Sequence, residues 1–373
     1  MLLLRRSIKE KTAPYVLLSP YLFMLFVFFG YAFLRCFYFS FTEYDLFAPP
    51  QWVGFKNYLN LIQDFQFGLA LKNSLQFAVI VTTLQTVLAL LLAVILNQKI
   101  KGIRFFRALY YMPSITSSAV VTLIFMWLFQ KKGLVNYLLT SLKNGYRIIA
   151  VFFVLLLMFQ AFLVIGEKLK KRPVSCFEPS YLFLSVVLSF MVTFFLVKTG
   201  IVTMVEGLPP VETVWLNTKK IWPRNHRLFG ISYPLGSIML LNIWTTAPTF
   251  MLLYLAGLQD IPKELYEAAA VDGATKVKTF WYVVRPQLRN ITFLVVTMGL
   301  ISTLQMFDQV AIIGDQAPLD AVITLAYYVY INAFPSSVSP KIGMASAAAV
   351  FLGLLTLIIV LIQRIVVNAG EGD

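Results

Sequence analysis

Eight long apolar runs decide what this 373-residue chain can fold into. They extend over approximately Tyr15–Phe39, Asn73–Leu96, Leu109–Phe129, Arg147–Gly166, Ser180–Val197, Leu235–Gly257, Thr292–Ile313 and Gly343–Val366. Each comes close to the ~20 residues that carry an α-helix across the hydrocarbon of a bilayer. Backbone in lipid has no water to bond to, so each run must close its own hydrogen bonds as a helix. The expected fold is therefore all-α, a polytopic bundle of about eight transmembrane helices. Composition agrees. Hydrophobic residues are 59% and charged residues 13% of the chain, against about a quarter charged in soluble domains.

An even number of spans puts both termini on one side, and the basic residues choose that side. Arg5, Arg6, Lys9 and Lys11 precede the first run, Lys99 to Arg107 follow the second, and Lys168 to Arg172 follow the fourth. Lys263 to Arg289 lie between the sixth and seventh runs. Compact clusters beside span ends mark the cytoplasmic face, so the termini are expected inside. Lys131, Lys132, Lys219, Lys220, Arg224 and Arg227 fall outside in this scheme and weaken the bias. The net charge of +14 is read as this positive-inside pattern, with no nucleic-acid partner. The first run is too long for a cleaved signal and has no small-residue cleavage site after it. Cys36 and Cys176 fall near opposite faces, and His226 is the only histidine, so neither a disulfide nor a metal site is expected. The outer loops carry Pro49-Pro50, Trp52, Pro209-Pro210, Trp215, Trp222 and Pro223, the punctuation of ordered surface loops.

The inner segment Ile261–Pro286 is the most informative. Pro262 suits a helix start, and Glu264 and Glu267 sit in the first turns, where the helix dipole favours anions. Ala268, Ala269 and Ala270 follow, Gly273 fits a left-handed stop, and Thr275 can cap a second short helix reaching Val284. Pro286 then leads into the seventh span. The predicted object is a helix–turn–helix whose small-residue face lets another protein approach closely. Read more plainly, it is an amphipathic loop in which Lys263 and Glu267 form an i,i+4 pair.

Polar residues inside spans are costly and usually face a bundle interior. Asn242, Thr245, Thr246 and Thr249 recur on one face of the sixth span. Ser302, Gln305 and Gln309 share a face of the seventh, with Asp308 beside them, and Gln85 lies midway along the second. Such hydroxyls and amides suit a sugar, which both donates and accepts. Ser and Thr also commonly bond their own helix, and that reading stands beside the first. Arg35 is expected to snorkel to the interface. Ala345, Ala349 and Gly353 are expected to form a helix-packing face.

The order Glu267-Ala268-Ala269, three residues, Gly273, nine residues, Val283, one residue, Arg285-Pro286 resembles the EAA signature of binding-protein-dependent importer permeases. Leu258–Pro262, Asp272-Gly273-Ala274, Ser40-Phe41-Thr42, Val53–Tyr58 and Tyr328–Phe334 resemble the maltose-type, carbohydrate branch of these ABC importers. The resemblance implies a MetI-like core of six spans, with the two runs between Arg147 and Val197 inserted as a hairpin. On that basis the chain divides into a cytoplasmic segment at 1–14, spans at 15–139, the inserted hairpin and outer loop at 140–215, the remaining core at 216–366 with the coupling loop at 258–290, and a tail at 367–373. Glu267, Ala268, Ala269, Asp272, Gly273, Ala274 and Pro286 would dock into a cleft of the ATPase. Partners would be a second similar permease, two ATPase subunits that hold ATP and Mg, an extracytoplasmic substrate-binding protein, and membrane lipid. The substrate would be a sugar, glycoside or related polyol. Arg285, Asn290 and Gly314–Pro318 depart from the family pattern. No Walker-type phosphate loop, zinc motif or serine elbow appears in the sequence, so the chain is not expected to be an enzyme. An ion-coupled secondary transporter of a polar solute is the competing class, with Asp308 its one supporting residue.

Overall fold

The computed structural model describes residues 14–98, 102–169, 179–205, 207–223, 230–335 and 338–369. Arg5, Arg6, Lys9, Lys11, Lys99, Lys170 to Arg172, Cys176, Arg224, His226 and Arg227 lie outside the described residues. Seven helices are long and apolar enough to cross a membrane, and a bent pair makes up to eight. The chain divides into two compact units, residues 1–125 with 216–373, and residues 126–215.

In the first unit, α1 (Pro14–Ser40) carries a π-helical turn at Leu25–Gly30. A short antiparallel hairpin, β1 (Thr42–Glu43) with β2 (Gln51–Trp52), and α2 (Lys56–Gln63) lead into α3 (Phe65–Leu96). Asp64 caps α3 by accepting from the Gln66 N–H, and the helix starts earlier than the apolar run at Asn73 predicts. Its first two turns already place Phe67 and Ala70 in the core, but Gln66, Gly68 and Lys72 interrupt the apolar run there.

The third run departs most from expectation. It is not a single span over Leu109–Phe129: α4 (Ile103–Ile115) and α5 (Ser118–Leu128) meet at a 95° bend. Pro113 removes a helix hydrogen bond near the end of α4, and Thr116 is extended, with φ −79° and ψ 143°.

A small β3–β4 pair (Ile221–Trp222 with Ile231–Ser232) precedes α9 (Tyr233–Asp260), numbered after the three helices of the second unit described below. Ser232 caps α9, and Pro234 occupies its first turn. Beyond Asp260 come α10 (Lys263–Val271), α11 (Lys276–Thr279), a π-helical turn (Phe280–Val284), α12 (Arg285–Gln287) and α13 (Arg289–Leu304). Pro286 lies in the first turn of α12, where it breaks nothing, so the path into the seventh span stays helical. That span is itself interrupted. Gln305 caps α13, and helix resumes only at α14 (Asp308–Ile313). Met306 at the break gives its carbonyl to the buried Thr324 hydroxyl at 2.8 Å. After α15 (Leu319–Val322) and α16 (Leu325–Ala333), α17 (Ile342–Ala369) continues past the expected end at Val366.

Helix α3 runs between two apolar clusters. One joins Leu61, Phe67, Ala70, Leu304, Leu325, Tyr328 and Ala347. The other joins Ala93, Leu96, Tyr254, Leu258, Ile261, Val284 and Leu288. Between them lies a buried polar layer of Thr82, Gln85 and Thr303, in which the Thr82 and Thr303 hydroxyls are 3.2 Å apart. The expected small-residue face of α17 is shifted. Ala345, Ala347 and Ala348 are buried, Ala349 is half-buried, and Gly353 faces outward with nothing within 4 Å of a Cβ built there. Gly343 is the glycine this packing requires, since a Cβ there would overlap the Thr42 carbonyl oxygen. The Arg35 guanidinium lies 4.7 Å above the Phe39 ring, one turn along α1.

The second unit holds α6 (Leu134–Asn144), α7 (Tyr146–Leu169) and α8 (Pro179–Lys198). Residues 207–215 are tied back onto α6. Asn136 is 2% exposed; its amide donates to the Lys131 and Thr213 carbonyls at 2.9 and 2.8 Å, and its oxygen accepts from Trp215 Nε1 at 2.9 Å. Lys131 pairs with Glu212 at 2.6 Å and holds that carboxyl below its usual range. Ser185 on α8 donates to Gln160 on α7 at 2.8 Å. Phe153, Leu157, Phe162, Phe183, Phe190 and Phe194 stay exposed, as lipid-facing side chains do.

Candidate functional site

The loop between the sixth and seventh spans is built by its own sequence. Helix α10 ends with Gly273 at φ +71°, a conformation that costs residues with a Cβ about 1 kcal/mol or more. The Gly273 N–H reaches the Ala270 carbonyl at 3.1 Å, and the Ala274 N–H reaches the Ala269 carbonyl at 2.9 Å. Together these form the Schellman pattern that satisfies the last carbonyls of a helix. Thr275, with ψ 160°, caps α11 by accepting from the Lys278 N–H at 3.4 Å. Ile261, Tyr266, Phe280, Val284 and Leu288 pack the loop onto the core.

The other face is open. Glu267, Ala268, Asp272, Gly273 and Pro286 are exposed, Ala274 is half-exposed, and Ala269 alone is buried. Val271 is 88% exposed, and Val277, Trp281 and Tyr282 are exposed as well. The Arg285 guanidinium lies 5.1 Å over the Trp281 ring. Sequence reading missed these apolar residues, because in a chain this hydrophobic an exposed Val or Tyr has no distinguishing signal. Lying on both sides of the Thr275 cap, these exposed apolar side chains are of the kind that another protein covers.

The second feature is a cavity of about 310 Å³ in the first unit. Asn242, Thr245, Thr246 and Thr249 line it from α9; Ser302, Gln305 and Gln309 line it from the broken seventh span. The spacing argument for Gln305 and Gln309 assumed one continuous helix. They face the same cavity for another reason: the break at 305–307 carries both toward α9. Gln85 does not line the cavity. It sits one layer behind, fully buried, and its Oε1 accepts from the Thr246 hydroxyl at 2.6 Å. Asn242 Nδ2 donates to Gln309 Oε1 at 3.3 Å.

Some polar groups do bond their own helix. Thr245 donates to the Leu241 and Asn242 carbonyls at 3.1 and 3.0 Å, and Ser302 to that of Gly299 at 3.0 Å. Both hydroxyls keep acceptor capacity toward the cavity. The wall that sequence reading missed is the bend of the third run. Pro113, Ser114, Thr116, Ser118 and Thr122 all face the cavity. Pro113 followed by Ser-Ile-Thr-Ser-Ser was the available signal, since Pro beside several hydroxyl residues marks a broken span. Ser118 donates to Asp308, so the two broken spans meet at the cavity. Thr122 is 1% exposed, and its hydroxyl has no hydrogen-bond partner.

A multi-span helical bundle with broken helices around a polar cavity and a capped helical turn between two of its spans has the architecture expected of a transporter's membrane subunit. Residues 170–369 match the model of the binding-protein-dependent transport system inner membrane component, and this chain belongs to that family. The probable ABC transporter permease protein YesP of Bacillus subtilis is 28% identical, aligned over 95% of this chain and 91% of its own length. The multiple sugar-binding transport system permease protein MsmF of Streptococcus mutans is 27% identical over 96% of both chains. The arabinooligosaccharides transport system permease protein AraP of B. subtilis is 26% identical, over 98% of this chain and 91% of its own. Among solved structures, a bacterial ABC transporter involved in the import of the acidic polysaccharide alginate has a chain of the same fold. Its TM-score is 0.66, with 18% identity over 98% of each chain. The chain is thus a multi-pass permease subunit of an ABC importer.

Proposed function

We propose that this permease forms the path for a sugar or oligosaccharide and is driven through the Lys263–Pro286 loop by ATPase subunits that carry ATP and Mg. The observation that carries the substrate reading is the cavity lined by Asn242, Thr245, Thr246, Thr249, Ser302, Gln305 and Gln309. Its neutral donors and acceptors match the hydroxyls of a sugar, which need both. The names of MsmF and AraP point the same way. An extracytoplasmic binding protein would deliver the substrate, as in the alginate transporter solved with its pentasaccharide-bound periplasmic protein. A second, similar permease would complete the path. Both termini would be cytoplasmic, which places the Gly273 turn on the ATPase side.

The exposed face of α10 and the turn supports the drive. Closure of a nucleotide-bound ATPase pair would move a rigid element, and the Schellman turn and Thr275 cap make this one rigid. The test is uptake of labelled oligosaccharide into vesicles holding the assembled transporter. ATP-dependent uptake that is lost in Asn242→Leu, with assembly retained, supports the reading; equal uptake overturns the role of the cavity.

A further inference from the structure

We infer that Asp308 makes the cavity a filter for uncharged sugars, turning away glycans that carry carboxylates; the inference rests on the cavity being the sugar path. Among the described residues lining it, Asp308 is the only charged one, and no Lys or Arg faces it. Its place is fixed twice. It is the first residue of α14, immediately after the break in the seventh span, and the Ser118 hydroxyl from the bend of the third run donates to its Oδ2. Oδ1 is left to accept from a ligand, because an ionised carboxylate only accepts. The buried, unpartnered Thr122 hydroxyl on the same wall is a group that a ligand can satisfy.

A neutral sugar meets this wall with hydroxyls that donate to Asp308 and exchange bonds with Thr122, Gln305 and Ser302. A uronate brings a second acceptor-only carboxylate and finds no cation. A cavity of about 310 Å³ is only roughly 8 Å across, so the part of a glycan seated in it lies close to Asp308. Like charges at that separation, with an effective dielectric near 20, disfavour the charged ligand by on the order of tenfold or more. The fold is shared with a transporter of the acidic polysaccharide alginate, so fold alone does not set this preference, and the residue at the break is where it is set.

The test is saturation-transfer NMR on the assembled transporter in lipid nanodiscs, with maltotriose and tri-galacturonate as matched probes. Wild type is expected to favour maltotriose by at least tenfold. Asp308→Asn should shift the acidic-to-neutral ratio at least tenfold toward the acid. Gln305→Glu, which adds a carboxylate to the same wall, should shift it the other way. Equal binding of the two probes by wild type, or a ratio that neither Asp308→Asn nor Gln305→Glu moves, overturns the filter while leaving the sugar path standing. If maltotriose does not bind, or binds Asn242→Leu as it binds wild type, the sugar path itself fails and the filter with it.

Discussion

The Thr246 hydroxyl donates to Gln85 Oε1 at 2.6 Å, joining two residues 161 positions apart in the chain. The same single proton is shared with the Asn242 carbonyl, 2.7 Å away on its own helix. Gln85 Nε2, by contrast, is buried without a partner. One residue of the cavity wall is thus held from behind by a fully buried amide on another span. Such an amide is costly when half satisfied, and its position ties the wall to α3.

This pair should show coupling of its own. Gln85→Ala and Thr246→Val are each expected to lower the thermal midpoint of the purified protein. In combination they should cost about 1 kcal/mol less than the sum of the two, as for other interhelical hydrogen bonds in membranes. Strict additivity would mean that Thr246 is held by its own helix alone.

Gly273→Val is expected to separate transport from its motor. The added side chain opposes φ +71° by about 1 kcal/mol or more and unseats the turn between α10 and α11. The protein should still reach the membrane and receive substrate, while ATPase co-purification and substrate-stimulated hydrolysis fall to background. Gly273→Asn should be milder, since Asn tolerates this conformation. Wild-type hydrolysis in the Val variant would remove the loop from the coupling role.

Glu267→Ala should weaken the same association without breaking it. Glu267 is exposed on α10, so the helix survives its loss and only a charge contact to a partner goes. A dissociation constant that rises several-fold, measured by titration of the ATPase onto vesicles, is the expected result. No change would place the docking contact elsewhere on the loop.

Gly343 and Gly353, both on α17, should behave oppositely. Gly343→Ala forces apart a helix and the Thr42 backbone and should cost about 1–3 kcal/mol, as overpacking does. Gly353→Ala meets open space and should be silent. Comparable melting of the two variants would show that α17 does not pack against β1 as described.

Reporter fusions address topology. A reporter after Arg172 is expected to read cytoplasmic, and one after Glu212 external. Both on one side would mean that α7 and α8 do not form a transmembrane hairpin.

Much of the Lys263–Pro286 loop was legible because its chemistry is local. Gly273, Thr275 and Glu267 lie within one short segment, and a left-handed stop followed by a cap is specified by the residues that form it. The span count was legible for a similar reason, since length and polarity are properties of each run alone. The polar stripe on α9 could be read as one face of a helix, and all four of its members line the cavity. The seventh run misled in its continuity. Nothing apolar or polar in Gln305-Met306-Phe307 forbids helix, and the break exists where Thr324, far along the chain, takes the Met306 carbonyl.

What the sequence by itself determined, then, is that this chain spans a membrane, presents a capped helical turn at Gly273, and carries amides and hydroxyls in its sixth and seventh spans. Periodicity and capping are short-range, so they survive without knowledge of partners. Only the tertiary structure decided that Gln85 lies behind the cavity wall, and that Gly343, not Gly353, is the close-packed glycine. It also brought Ser118 to Asp308 across 190 positions. These outcomes depend on which helix faces meet, and in a chain where almost every face is apolar, hydrophobicity cannot choose among them. Interlocking shape and the pairing of buried polar groups make that choice, and both exist only once the spans have assembled.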